Sequence, residues 1–153
     1  MKRTSLHSVL VAFLLFGNCP FTMAETVDVS LGGITYNLDS ESMTASVAAA
    51  ENVAGDIVLP ELVSYGDKSY TLTSIGEQAF GKCVDITSVS IPSTVTSIGV
   101  DAFIMCSGLV SVNIPSGVTS IEEGTFEGCR KLASIDIPSG VTTIGSYAFK
   151  NCI

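Results

Sequence analysis

The chain has 153 residues, the size of one domain, and a formal net charge of −8. An acidic surface repels phosphate backbones, and beyond Lys2-Arg3 the only adjacent basic pair is Arg130-Lys131, so nucleic acid is not an expected partner. The sole histidine is His7, near the start, which leaves the rest of the chain without Ser-His or Cys-His catalysis and without a histidine-bearing metal site.

Lys2 and Arg3 precede an apolar run from Val9 to Phe16, and a small-residue site follows at Thr22-Met23-Ala24. That order reads as a secretory signal peptide over residues 1–24, cut after Ala24, and predicts a secreted or cell-surface protein. The run is too short to span a bilayer, which needs about 20 apolar residues. Two alternatives stand beside this reading. The segment is a buried N-terminal helix, or it is a lipoprotein leader carrying lipid on Cys19, although Asn18 fills the place where such leaders carry a small residue. No second apolar stretch is long enough to cross a membrane, so no membrane span is expected.

After the leader, "TVDVSLGGITYNLD" holds two alternating strands around Gly32-Gly33, a hairpin signal. "SMTASVA" is a third candidate strand. Residues 25–54 therefore read as an N-terminal β cap with an apolar inner face. "DIVLP" (Asp56 to Pro60) then starts a repeating phrase. The interval from Pro60 to Ile75 is longer than that from Pro92 to Ile98, and the added segment holds Gly66-Asp67-Lys68, a hairpin turn.

From there the sequence is periodic. Cys83, Cys106, Cys129 and Cys152 are 23 residues apart, as are Phe80, Phe103, Phe126 and Phe149, and Ile75, Ile98, Ile121 and Ile144. Pro92, Pro115 and Pro138 keep the same step. In each unit the first part, such as "LVSVNIP", alternates: Val112 and Ile114 face one way, Ser111 and Asn113 the other. That is a strand with one buried face, halted by a proline that has no N–H for the ladder. "VTSI" is a second short strand, Gly99 and Gly145 turn the chain, and "AFxxC" fits a tight turn. A unit of this size buries too little apolar surface to fold alone, so identical units stack into a solenoid and each residue type forms a row along the axis. The expected fold is mainly β, with parallel strands about 4.8 Å apart and the Phe and Ile rows inside.

The unit length and the strand phrase fall in the range of leucine-rich repeats. The wording "IPSGVTSIGxxAFxxC", at fixed spacing over residues 70–153, resembles the BspA-like leucine-rich repeats of bacterial surface proteins. The resemblance implies adhesion to an extracellular protein on a host or a neighbouring cell. Residues 55–153 form the repeat solenoid on this reading. Ile153 occupies the place held by Val84, Ser107 and Arg130 at the start of a strand. A truncated array is therefore expected, the alternative being an open edge that pairs with a partner or a second copy.

The four repeat cysteines are expected to be free, buried thiols that pack beside the phenylalanines, because side chains pointing inward in parallel strain a disulfide. A row of single cysteines does not converge as zinc ligands do. Glu122-Glu123 lies in a variable turn and reads as a solvated pair. No catalytic residue, cofactor or metal is expected, and the protein reads as a non-enzyme. The outward positions are Ser88, Ser90, Ser111, Asn113, Ser134 and Asp136 on the first strand, and Thr96, Thr119 and Thr142 on the second. They are the candidate ligand-facing residues of a protein-binding module. The alternative is a structural spacer, in which these rows are polar only because they are exposed and the functional or sorting domain lies elsewhere.

Overall fold

The computed structural model describes residues 26–153, so the leader expected over residues 1–24 lies outside the described residues. Among these the secondary structure is strand and turn, without an α-helix. β1 (Thr26–Leu31), β2 (Ile34–Asp39) and β3 (Thr44–Ala50) form an antiparallel meander. Gly32 and Gly33 close the first hairpin, with Leu31 opposite Ile34. The second turn is fastened by Asp39, whose carboxylate accepts the N–H groups of Glu41 and Ser42 at 2.8 and 3.2 Å. Strict alternation places Ile34, Tyr36 and Leu38 of β2 in the interior, beside Ala45 and Val47 of β3.

β4 (Gly55–Val58), β5 (Leu62–Tyr65) and β6 (Lys68–Ile75) follow. The extra residues between Pro60 and Ile75 are the antiparallel β5–β6 hairpin, closed where Tyr65 faces Lys68. β6 then runs on beyond its partner and pairs parallel with β3, Val47 opposite Ile75. The meander thus shares the register of the repeats, and Val47 starts the isoleucine row.

Two parallel rows of strands carry the repeat. The first row is β4, β7 (Ile86–Ser90) and β9 (Ser111–Val112), with Ser88 opposite Ser111 and Val89 opposite Val112. The second holds β6 and β8 (Ser97–Ile98), and further on β10 (Ser120–Ile121) paired with β11 (Thr143–Ile144). In both rows identical positions of successive units stand opposite each other, as the 23-residue step requires. Residues 132–138, expected to give the next strand of the first row, carry no strand.

A third set of hydrogen bonds joins the units at the "AFxxC" turns. The N–H groups of Gln78, Phe80 and Lys82 donate to the carbonyls of Val100, Ala102 and Ile104 at 2.7–3.0 Å. Asp101, Phe103 and Met105 donate in the same way to Glu123, Thr125 and Glu127, and Gly124, Phe126 and Gly128 to Ser146, Ala148 and Lys150. The intervening N–H groups close local turns instead, as Ala79 does on Gly76 and Gly81 on Gln78. The backbone can send alternate N–H groups along the axis because two positions per unit are left-handed. These are Gln78, Asp101, Gly124 and Tyr147 in one column, and Lys82, Met105, Gly128 and Asn151 in the other, all with φ of +53° to +76°. Only the third unit meets this demand with glycine at both places.

Inside, the phenylalanine rings stack at centroid separations of 5.1, 5.4 and 5.5 Å and within 10° of parallel. Phe80, Phe103 and Phe126 are fully buried beside Ile75, Ile98 and Ile121. Each such side chain contributes about 1.5–3 kcal/mol by leaving water. The last unit departs from the expected interior rows: Phe149 is only partly buried and Ile144 is 54% exposed, because no further unit of the described residues lies over them.

Candidate functional site

The face of the first strand row carries a shallow groove lined by candidate residues. Ser88, Ser90, Ser111, Asn113 and Asp136 line it, over a floor of Val89, Val112 and Ile114, and its open volume is about 390 Å³. The lining side chains are small and fixed to a stacked backbone, so the groove is open and hydroxyl-rich. Ser134 is exposed but does not line it. Thr96, Thr119 and Thr142 are exposed on the segments that lead into the second row, away from the groove.

Three of the candidate side chains already have structural work. Asn113 clips β9 to β7: its Oδ1 accepts the Ile91 N–H at 2.7 Å and its Nδ2 donates to the Ile91 carbonyl at 2.8 Å. The amide thus takes both backbone groups of Ile91, while Asn113 still lines the groove. Asp136 holds the equivalent place one unit on, and a carboxylate has no N–H to give to a carbonyl. The regular pairing ends there. Ser88 donates its hydroxyl to Asp56 Oδ1 at 2.6 Å, and Thr87 donates to the same oxygen at 2.7 Å. These two bonds, that from Ser88 first, hold the exposed Asp56 carboxyl below its ordinary range. Thr142 donates to the Thr119 carbonyl at 3.3 Å.

Asp56 is the partner of the Ser88 column that sequence reasoning missed, although it does not line the groove. It pairs with Ser88 across β4 and β7, so it belongs to the Ser88–Ser111–Ser134 column. The β5–β6 insertion shifts it out of the 23-residue step, which hid the correspondence.

The cysteines are free thiols. Cys106, Cys129 and Cys152 donate their S–H groups to the carbonyls of Phe80, Phe103 and Phe126 at 3.0, 3.2 and 3.2 Å, and Cys83 donates to Ala50 at 3.5 Å. Burial was expected for all four, but Cys83 and Cys152 are only partly covered, since they lie at the two ends of the row. Burial first, then the neighbouring thiols, pushes Cys106 far above the ordinary thiol range, and the same causes push Cys129 up to about 12. A protonated, hydrogen-bonded thiol is a poor nucleophile and a poor metal ligand. Among the described residues no group of three His, Cys, Asp or Glu side chains is placed to hold a metal ion. Glu123 is exposed, while Glu122 is half-buried and accepts the Ser120 hydroxyl, so the two do not act as a pair.

The repeat and the fold recur in known proteins. The family described as BspA type leucine-rich repeat region matches residues 67–153, in six copies. The chain belongs to this family. A leucine-rich repeat protein from Bacteroides ovatus is 40% identical, with a TM-score of 0.77 over 81% of this chain. This BspA-type chain spans about a third of that protein's length, 33%. A leucine-rich repeat protein from Bacteroides capillosus is 29% identical over 76% of this chain and 86% of its own, with a TM-score of 0.69. A leucine-rich repeat protein of T. pallidum shares the fold at 24% identity and a TM-score of 0.69, over 82% of this chain and 67% of its own. No curated protein matches the chain.

Proposed function

We propose that this BspA-type chain is an exported protein-binding module that engages an extracellular protein, of a host or of a neighbouring cell, through the face of β4, β7 and β9. The observation that carries the reading is the groove, in which hydroxyls and a carboxylate from three successive units share one open surface. Stacked repeats use such extended faces to bind large partners through many weak contacts. In this reading residues 1–24 deliver the chain outside the cell, residues 25–54 cap the stack, and residues 55–153 present the face. The sameness of the Ser and Thr rows favours a second reading, a spacer that holds another domain away from the surface.

Binding of the purified protein to immobilised extracellular-matrix and bacterial-surface proteins separates the two. A module gives saturable binding that free protein competes away. A spacer gives none on any of these surfaces, and that result would overturn the binding role.

A further inference from the structure

The first strand segment of each unit ends on Ile-Pro, at Ile91-Pro92 and Ile114-Pro115. Proline has no N–H for the ladder, so the isoleucine before it offers the last backbone pair of its strand to the next unit. At Ile91 that pair is met: the Asn113 amide oxygen accepts the N–H and the amide nitrogen donates to the carbonyl, at 2.7 and 2.8 Å. Ile114 is the equivalent residue one unit on, and Asp136 takes the place of Asn113. A carboxylate has no hydrogen to give, so Asp136 cannot serve the Ile114 carbonyl. Within the described residues neither backbone group of Ile114 has a hydrogen-bond partner. The backbone ladder does not supply one either. Val110 donates its N–H to Thr87 of the preceding unit, but Ala133, its equivalent, turns back to Lys131 at 3.1 Å. Ile114 is only 8% exposed, and a covered backbone pair without partners costs free energy. Ile114 and Asp136 both line the groove, so a guest in the groove can reach the unmet pair.

We infer that the groove receives an asparagine or glutamine side chain of an extracellular protein, whose carboxamide takes the Ile114 N–H and carbonyl as the Asn113 amide takes those of Ile91. The inference rests on the binding role proposed above and names the chemistry that role recognises. The Asn113 clip is the template: one carboxamide sets an acceptor beside a donor, the complement of one residue's N–H and C=O. A carboxylate lacks the donor and an ammonium group lacks the acceptor.

The test titrates isotope-labelled protein with three nonapeptides, Gly-Ser-Thr-Ser-X-Ser-Thr-Ser-Gly, and follows the backbone amide signals by NMR. X is glutamine, its neutral isostere methionine, or glutamate, so all three carry the same backbone. The glutamine peptide should shift the Ile114 amide signal and bind roughly tenfold tighter than the methionine peptide, the size of two added hydrogen bonds. Two variants separate the amide from the charge. Asp136→Asn supplies an internal carboxamide to Ile114, so it should melt higher than the wild type and lose the preference for glutamine. Asp136→Ala removes the same charge without supplying an amide and should keep the preference. Equal binding of the glutamine and methionine peptides, or the same glutamine preference in both variants, overturns the inference. If no peptide binds while an immobilised extracellular protein is captured in a Ser111→Trp-sensitive way, the carboxamide assignment falls and the binding role stands. If neither peptide nor protein is bound, both fall.

Discussion

Burial first, then the neighbouring thiols, raises the central cysteines of the row, and the consequence is a pH dependence. Cys129 ionises at about 12 when folded, and Cys106 is raised further still. In the unfolded chain both ionise near the ordinary thiol value, about 8.5. Above that value the unfolded state loses protons first and the folded state holds more, so stability falls as pH rises. It is fully present below about pH 8.5, and each thiol then removes up to about 1.4 kcal/mol per pH unit. Urea melts from pH 8 to 10.5 should therefore show a falling midpoint that is largely flattened in a Cys106→Ala, Cys129→Ala variant. The left-handed columns give a second prediction. Met105 is half-exposed at φ +58°, a conformation costing a side-chain-bearing residue about 1 kcal/mol more than glycine. Met105→Gly should raise stability by about 0.5–1 kcal/mol in chemical melts. Gly128→Ala, in the same column, should lower it by about 1 kcal/mol, since the new Cβ would come no closer than 3.4 Å to Met105 and only the backbone is strained.

At the scale of the strand, pairing in the first row shortens from the five residues of β7 to the two of β9 and then stops. The Asn113 clip adds two bonds to the backbone pairing of β9 with β7. Asn113→Ala leaves the Ile91 N–H and carbonyl without that partner and should cost about 1–2 kcal/mol, read as a lower thermal midpoint. Much of this architecture was legible: the 23-residue step gave both strand rows, Gly32-Gly33 and Gly66-Asp67 gave the hairpins, and alternation gave the buried faces. The turn ladder was not legible, because six of its eight left-handed positions hold Gln, Asp, Tyr, Lys, Met or Asn and only two hold glycine. Nor did the pattern distinguish Asn113 from Asp136, two outward polar residues in one column, though a single N–H donor separates a structural clip from a free charge.

The molecule as a whole is held by rows that cross unit boundaries: three stacked ring pairs, two strand rows and the turn ladder. A cavity in the middle of the phenylalanine row should therefore be felt on both sides. Phe126→Ala removes stacking with Phe103 and Phe149 together and should cost about 3–5 kcal/mol, measured by chemical denaturation. We propose that β1–β3 protect the opposite end, where Val47 seals the isoleucine row against β6. With the interior and the turns occupied by the stack itself, the binding role proposed above rests on the groove lined by β7, β9 and Asp136 rather than on the threonine row. The most direct measurement compares Ser111→Trp with Thr119→Trp, one exposed residue on each face, for capture by an immobilised extracellular protein, with thermal melts as the folding control. Ser111→Trp should lose binding, Thr119→Trp should keep it, and both should melt like the wild type. Loss of binding in Thr119→Trp with Ser111→Trp unaffected would contradict it.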